Sequence, residues 1–482
     1  MKNRKGLALV TASALFATVF SGCGSTSPAA EVPAGEAPAS EAEKSALADA
    51  KTSIKTVTMG NSQIEVEVTD PGFSGSFTYW SAFTGDSADW DQTRVDAFNE
   101  AYRDLGISCE VQYVPDGAGI NNGKLLSAIA GGTAPDLLVT DSPVSAYQYA
   151  AEGSFMPLDE KLKAIGLDTS SFFAGCRDVM YYNDKIYLVP QDTNVIMLYY
   201  NPEIVRECGM DPEKPPKNLE ELNVWADAMT IQTADGSYTR FGLIPWLDSG
   251  NDAFTLPYLF GANPYEKETN RINLTSDAMI IYMKWIRDFA AKYDAERINA
   301  FSSGLGGMFS PDHPFMTGKV AMTITGNWFS EALRRYAPDV PYEVCPVPVP
   351  EGGRAESTTF GCNVFAIPQG TSPEKSELAA LFIKFCEQGS VNEDNFAQWR
   401  SIPVIDAAFD DVSLTKNGDE MYALERRIAN SPENGIPALC SVSAELASQF
   451  QTVRDNVVYQ GADPQTVLKE LEDNMQRTME TK

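Results

Sequence analysis

The sequence predicts an α/β protein of two lobes, and three observations carry that expectation. Residues 75–140 read as strand, helix, strand, helix, strand, the order that builds a parallel sheet with helical crossovers. The chain of 482 residues, 43% hydrophobic and 10% aromatic, is long enough for two cores of ordinary size once its leader is set aside. Trp80, Asp141 and Trp328 all fall at the carboxyl ends of expected strands, where open α/β sheets bind their ligands.

The leader comes first. Lys2, Arg4 and Lys5 precede an apolar run over residues 7–20, and Phe20, Ser21, Gly22 and Cys23 close it. The pattern resembles a bacterial lipoprotein signal, with Phe20 where Leu is commoner; the alternative is an ordinary secretory signal. The resemblance implies cleavage after residue 22 and lipidation of Cys23. The apolar run is too short for a durable membrane span. Residues 24–50 are Ser, Ala, Pro and Glu without an aromatic residue, so they bury too little surface to offset their ordering entropy. Residues 23–50 are therefore expected to form a lipid anchor and a flexible tether. In residues 51–72, Val57 and Met59 precede Gly60-Asn61, and Ile64, Val66 and Val68 follow, an alternation that predicts a small hairpin ahead of the main domain.

In the strand at 75–81, Phe77 and Tyr79 share one face. From about Asp89, Trp90, Val95, Phe98, Ala101, Tyr102 and Leu105 recur at helical spacing until Gly106 stops them. Ile107, Cys109, Val111 and Tyr113 then alternate as a strand. Residues 124–130 form a short helix closed by Gly131-Gly132, and Pro135-Asp136 opens the strand at 137–140. Further on, Pro215-Pro216 ends a loop, Asn218 can cap the next helix, and Glu221 sits three residues later, as in a capping box. Residues 319–325 alternate into a strand, and Gly326-Asn327-Trp328 leaves its carboxyl end.

Several segments carry a family likeness in a single order: 126–138 (LSAIAGGTAPDLL), 153–159 (GSFMPLD), 185–191 (KIYLVPQ), 199–202 (YYNP), 215–222 (PPKNLEEL), 315–324 (FMTGKVAMTI), 326–328 (GNW), 365–368 (FAIP) and 382–385 (FIKF). Together they resemble the extracellular sugar-binding proteins of ABC importers, the maltose-binding-protein-like family, from about Phe73 to the carboxyl end. The resemblance implies a periplasmic-binding-protein-like fold of type II, with a hinge between two α/β lobes. Lobe one would hold residues 73–193 and 366–410, and lobe two residues 195–361 and 414–482. Such lobes close around a ligand, and the closed form presents a new surface to a transporter. The implied role is a lipid-anchored protein on the outer face of the bacterial cytoplasmic membrane, a monomer that delivers a sugar or oligosaccharide to the permease subunits. No cofactor is implied.

A sugar site needs flat aromatic faces beside polar side chains. Trp328 is the leading candidate, since the family places a stacking aromatic after that strand; a core role is its alternative. The first loop of the family's cleft would bring Trp80, Ser81, Thr84 and Asp86, although Asp86 would serve equally as a helix cap. Asp141 ends its strand, either to meet hydroxyls or to shape the turn before Pro143. Asn194 and its neighbour Gln191 lie at the first crossing and Asn363 at the second. Trp246, Asn251 and Asp252 occupy a loop of lobe two, and Asn327 adjoins Trp328. Trp90, Trp225, Trp285 and Trp399 sit in helical or apolar patterns and are assigned to packing.

Composition narrows the function further. With 66 acidic against 37 basic residues, the formal net charge of -29 disfavours nucleic acid and anionic lipid, so membrane attachment would come from the anchor alone. The eight cysteines are scattered without a C-x-x-C pair, which removes zinc-ligand spacing and leaves buried thiols, with one or two disulfides open. The sole histidine, His313, lies in a turn-like surface setting. No nucleophile elbow or phosphate-binding glycine loop is found. The reading is a binding protein rather than an enzyme; a lipid-anchored glycoside hydrolase and a sugar-sensing subunit for a signalling receptor are the alternatives.

Overall fold

The computed structural model describes residues 50–114, 123–248, 253–405, 409, 420–436 and 438–481. The leader, Cys23 and residues 23–49 of the tether lie outside them, as do Asn251 and Asp252. Two antiparallel strands, Lys51–Met59 and Ser62–Asp70, open the fold, joined through Gly60 and Asn61 in a register that pairs Met59 with Ser62. The turn needs a positive φ, which Gly60 supplies at 57°. Val57, Met59, Ile64, Val66 and Val68 form its buried face. The hairpin lies flat on the first lobe: Gln388 donates to the Glu67 carbonyl and accepts from its N–H, and Thr58 N–H donates to Glu100.

A five-stranded sheet orders the first lobe as Ile107–Tyr113, Gly75–Ser81, Leu137–Thr140, Asn363–Ala366 and Val189–Asp192. The first three strands are parallel, as their alternation with helices predicts. Asn363–Ala366 runs antiparallel to both neighbours and makes the sheet mixed. It returns from the other lobe, so chain order gave no sign of its place. The helix Asp86–Tyr102 covers one face with Val95, Phe98, Ala101 and Tyr102, and carries the fully buried Asp91–Arg94 pair beneath Trp90.

The second sheet is Met322–Gly326, Ile196–Tyr200 and Glu343–Cys345, all antiparallel. Its central strand is buried throughout. Alternation sends Met197 and Tyr199 into one core and Ile196, Leu198 and Tyr200 into the other. The helices Asp277–Tyr293, Ser443–Gln460 and Pro464–Thr481 complete the second lobe. Asn218 caps the helix Leu219–Met229 by accepting from Glu221 N–H at 2.9 Å, while the Glu221 carboxylate accepts from Lys217 N–H and from the Asn218 side-chain amide rather than from the cap residue's backbone N–H.

One expectation changes, and the cysteines follow theirs. His313 is buried, not on the surface: the turn folds inward, its ring packs on Phe329, Nδ1 accepts from Phe315 N–H, and Nε2 therefore carries the proton that meets Asp248 at 2.8 Å. The seven described cysteines are free thiols; Cys362 Sγ lies 3.6 Å from Cys176 Sγ without a bond.

Trp285 packs on Phe260 at 5.2 Å and donates to Asn223 at 2.9 Å, at the edge of the second lobe's core. Because the ring is only half-buried, Trp285→Ala is expected to cost roughly 2 to 3 kcal/mol, below a fully buried Trp. Urea denaturation measures the loss, and an unchanged midpoint would remove Trp285 from the core.

Candidate functional site

The chain passes between the lobes at residues 193–195 and returns at 361–362, and side-chain amides fasten these crossings together. Asn194 Nδ2 donates to the Gly361 carbonyl at 2.5 Å while its Oδ1 accepts from Gly361 N–H. Asn327 Oδ1 accepts from Val195 N–H at 3.2 Å and its Nδ2 donates to the Arg400 carbonyl at 2.6 Å. Asn363 donates to Asp192 through both its backbone N–H and its Nδ2. Thr193 and Ile402 exchange backbone hydrogen bonds beside them. An open strand end buried without partners would be costly, so these bonds are what permits a bare crossing at the base of a cleft.

Above this floor opens a cleft of about 390 Å³. One wall carries Phe83 and Trp90, the other Met308, Phe309 and Trp328, with Trp399 and Arg400 near the crossings. Trp328 lies flat over Gly326, where an added Cβ would meet its ring at 1.9 Å, so only glycine admits this position. Its Nε1 points to Met308 Sδ at 2.9 Å, which leaves the ring face as the contact surface. Phe309 is 53% exposed and stands in the lining of the cleft. Arg400 does not offer a cation here, because its guanidinium forms a two-point pair with the buried Glu425 at 2.8 and 2.9 Å.

Of the residues singled out from sequence, Thr84, Asp141, Asn194, Asn327, Trp328 and Asn363 line this cleft. The others are placed elsewhere. Trp80 falls on the opposite face of its strand from Tyr79 and Ser81, donates to Gln112 at 3.1 Å and is covered by Lys124. Ser81 is fully buried where the chain turns off the sheet. Asp86 pairs with Arg335 at 3.2 Å and accepts from Tyr336, which takes it out of the cleft. Gln191 is buried against Asp192. Trp246 packs on Phe289 and donates to Tyr459 on the far side of the second lobe. Asn251 and Asp252 lie outside the described residues. Trp225 and Trp285 pack as expected, but Trp90 and Trp399 do more than pack, for both also line the cleft. The missed signal was position: Trp90 is the fifth residue of one helix and Trp399 ends another.

Asp192 is fully buried on the cleft floor, and that burial pushes its carboxyl up to about 6 against the bonds from Asn363, the Arg94 charge and Ser401, which pull it down. Glu387 nearby is held well above the carboxylate range by burial, with the Asp192 charge adding to it. Neither of its oxygens has a hydrogen-bond partner among the described residues.

A family model described as "Bacterial extracellular solute-binding protein" matches residues 93–421. The sn-glycerol-3-phosphate-binding periplasmic protein UgpB of Brucella melitensis biotype 1 is 23% identical over 354 residues, which are 71% of this chain and 76% of that protein. The maltooligosaccharide ABC transporter solute-binding lipoprotein of Streptococcus pneumoniae serotype 4 is 26% identical over 223 residues, 44% of this chain and 48% of its own. In structure, CpMnBP1 with mannotriose bound superposes with a TM-score of 0.74 at 26% identity, over 83% of this chain and 99% of that one. The fold is the two-lobed, hinged type II arrangement of such binding proteins.

Asp192 and Glu387 hold their protons more tightly folded than unfolded, where carboxyls titrate near 4. For Asp192 that stabilisation is complete below about pH 4 and is lost as pH rises through about 6, and for Glu387 the loss runs in the same direction. Asp192→Asn is expected to flatten the fall in unfolding free energy across that window, read by urea titration at stepped pH. An unchanged slope would show that Asp192 titrates normally.

Proposed function

The chain belongs to the bacterial extracellular solute-binding proteins, and from that premise we propose that it binds a neutral oligosaccharide and delivers it to the permease of an ABC importer. The lining of the cleft carries the proposal: half-buried Trp328 and exposed Phe309 give flat apolar faces, and Asp141, Thr84 and Ser401 stand beside them. Sugar rings present that combination of C–H faces and hydroxyl rims. A cleft of about 390 Å³ falls in the size range of small-ligand sites. The charge decides between ligands. A phosphate ester, such as the one named for UgpB, requires a cation, whereas this lining holds two carboxylates, Asp141 and Asp192, and an arginine committed to Glu425. The mannotriose of CpMnBP1 is neutral, and manno-oligosaccharides are accordingly the first ligands to try.

Attachment by a lipid on Cys23, with residues 24–50 as spacer, is the companion proposal, and it rests on the leader sequence. Closure of the lobes on the ligand would create the surface a permease reads.

Two outcomes are expected. In calorimetry with mannobiose, mannotriose, maltose and maltotriose, Trp328→Ala should weaken whichever sugar binds by roughly 1 to 3 kcal/mol through lost stacking, and the sugar should be recovered intact. Unchanged affinity in the folded variant would remove Trp328 from the site, and a cleaved sugar would favour the hydrolase. In a bacterial host, Cys23→Ser should leave the membrane fraction and carry no acyl chain; a variant that remains acylated would end the lipoprotein reading.

A further inference from the structure

Cys176 and Cys362 are brought together by a close approach that glycine permits. The helix Ala174–Met180 packs directly on the second crossing: a Cβ added at Gly175 would meet the Phe360 ring at 2.5 Å and the Gly435 backbone at 3.5 Å. The next residue of the helix is Cys176, and its sulfur meets that of Cys362 at 3.6 Å, although the two lie 186 positions apart in the chain. Both are fully buried. Cys362 Sγ also lies 3.7 Å from Thr193 Oγ1, on the first crossing. The pair sits where both crossings meet a helix packed on the strand Val189–Asp192.

A separation of 3.6 Å is that of two thiols in contact. A disulfide needs about 2 Å, so the sulfurs must close by roughly 1.5 Å, a movement on the scale of a side-chain torsion. The family of this chain is extracellular, and outside the cytoplasm disulfides form and persist. Burial decides when the bond can form. It holds the Cys362 thiol well above its ordinary range, with the adjacent Cys176 adding to the shift, whereas the thiolate is the attacking species. In the finished fold Cys362 is shut away and scarcely ionised, so exchange belongs to the folding chain, before the helix closes over the crossing.

We propose that Cys176 and Cys362 form a disulfide as the chain folds outside the cytoplasm, a covalent staple between the helix Ala174–Met180 and the second crossing. The oxidant is a disulfide of another molecule. One cysteine of the pair attacks it as the thiolate, forming a mixed disulfide and releasing one thiol; the second cysteine then attacks the sulfur of the first and releases the other. Two thiols of this chain become one S–S bond, and the external disulfide is reduced to two thiols that take up the two protons. The same burial then shields the bond from reductants. Because it closes so long a loop, the bond removes more freedom from the unfolded chain than a local bridge would. The inference stands apart from the carbohydrate reading.

Refolding the full chain from urea, with glutathione disulfide in one preparation and excess dithiothreitol in the other, tests it. Free thiols are alkylated in urea and the peptides mapped by mass spectrometry. In the oxidised preparation the peptides carrying Cys176 and Cys362 should be joined, and should stay joined when dithiothreitol is added to the folded protein, opening only in urea. The oxidised protein should also unfold at a higher urea concentration than the reduced one. Cys176→Ser and Cys362→Ser should each lose both the joined peptides and that gain; if neither variant folds, the map of the unaltered chain decides. Alkylation of both cysteines after oxidative refolding, their joining to other cysteines instead, or equal urea midpoints in the two preparations would overturn the staple.

Discussion

The fastening of the two crossing segments is the constraint on which the rest of the molecule depends. Backbone leaving one sheet and entering another has no ladder partner, and here it does so at the base of an open cleft. Asn194 and Asn327 answer this with side-chain amides that both donate and accept, and Asn363 adds its Nδ2 as a donor to Asp192. The Asn194–Gly361 exchange imitates a pair of strand hydrogen bonds between segments far apart in sequence. The same residues line the cleft, so the crossings and the cleft floor are one structure.

That dual use bears on the polar residues expected to hold a sugar. An amide engaged on both its oxygen and its nitrogen, as those of Asn194 and Asn327 are, has little capacity left for a further partner, so these floor residues serve geometry first. Arg335 adds a further tie: it rises from the helix Phe329–Tyr336 to reach Asp86, the Gln398 carbonyl and the face of Trp399 at 4.0 Å. Solvent screening weakens such a partly exposed pair, yet stacking on Trp399 keeps the guanidinium oriented.

Much of this was legible in the sequence, and what was not has physical reasons. Helical and strand periods located the alternation from Gly75 to Thr140, and Asn218 with Glu221 marked a helix start, because these signals are local. The place of Asn363–Ala366 was not local: its neighbours in the sheet lie far away in the chain, and no period encodes that. Trp80 was misplaced because strand alternation puts it opposite Tyr79, a fact available from the same pattern that located Tyr79 inside. Trp90 and Trp399 were read as packing since indoles on a helix face usually pack, and they do; burial and lining a cleft are not exclusive when the helix ends at the cleft. His313 was read from its prolines as surface, whereas Phe329 and Asp248 give its ring an apolar face and a polar partner that only the tertiary fold supplies.

The indoles of Trp90 and Trp399 show what holds a buried ring in place. Neither Nε1 has an acceptor among the described residues, which costs free energy, and Arg94 and Arg335 lie over the two rings at 4.7 and 4.0 Å. Stacking therefore fixes both rings where hydrogen bonds do not. Closure of a two-lobed fold poses a separate demand, since any ligand shifts the population only by how much better it binds one state than the other.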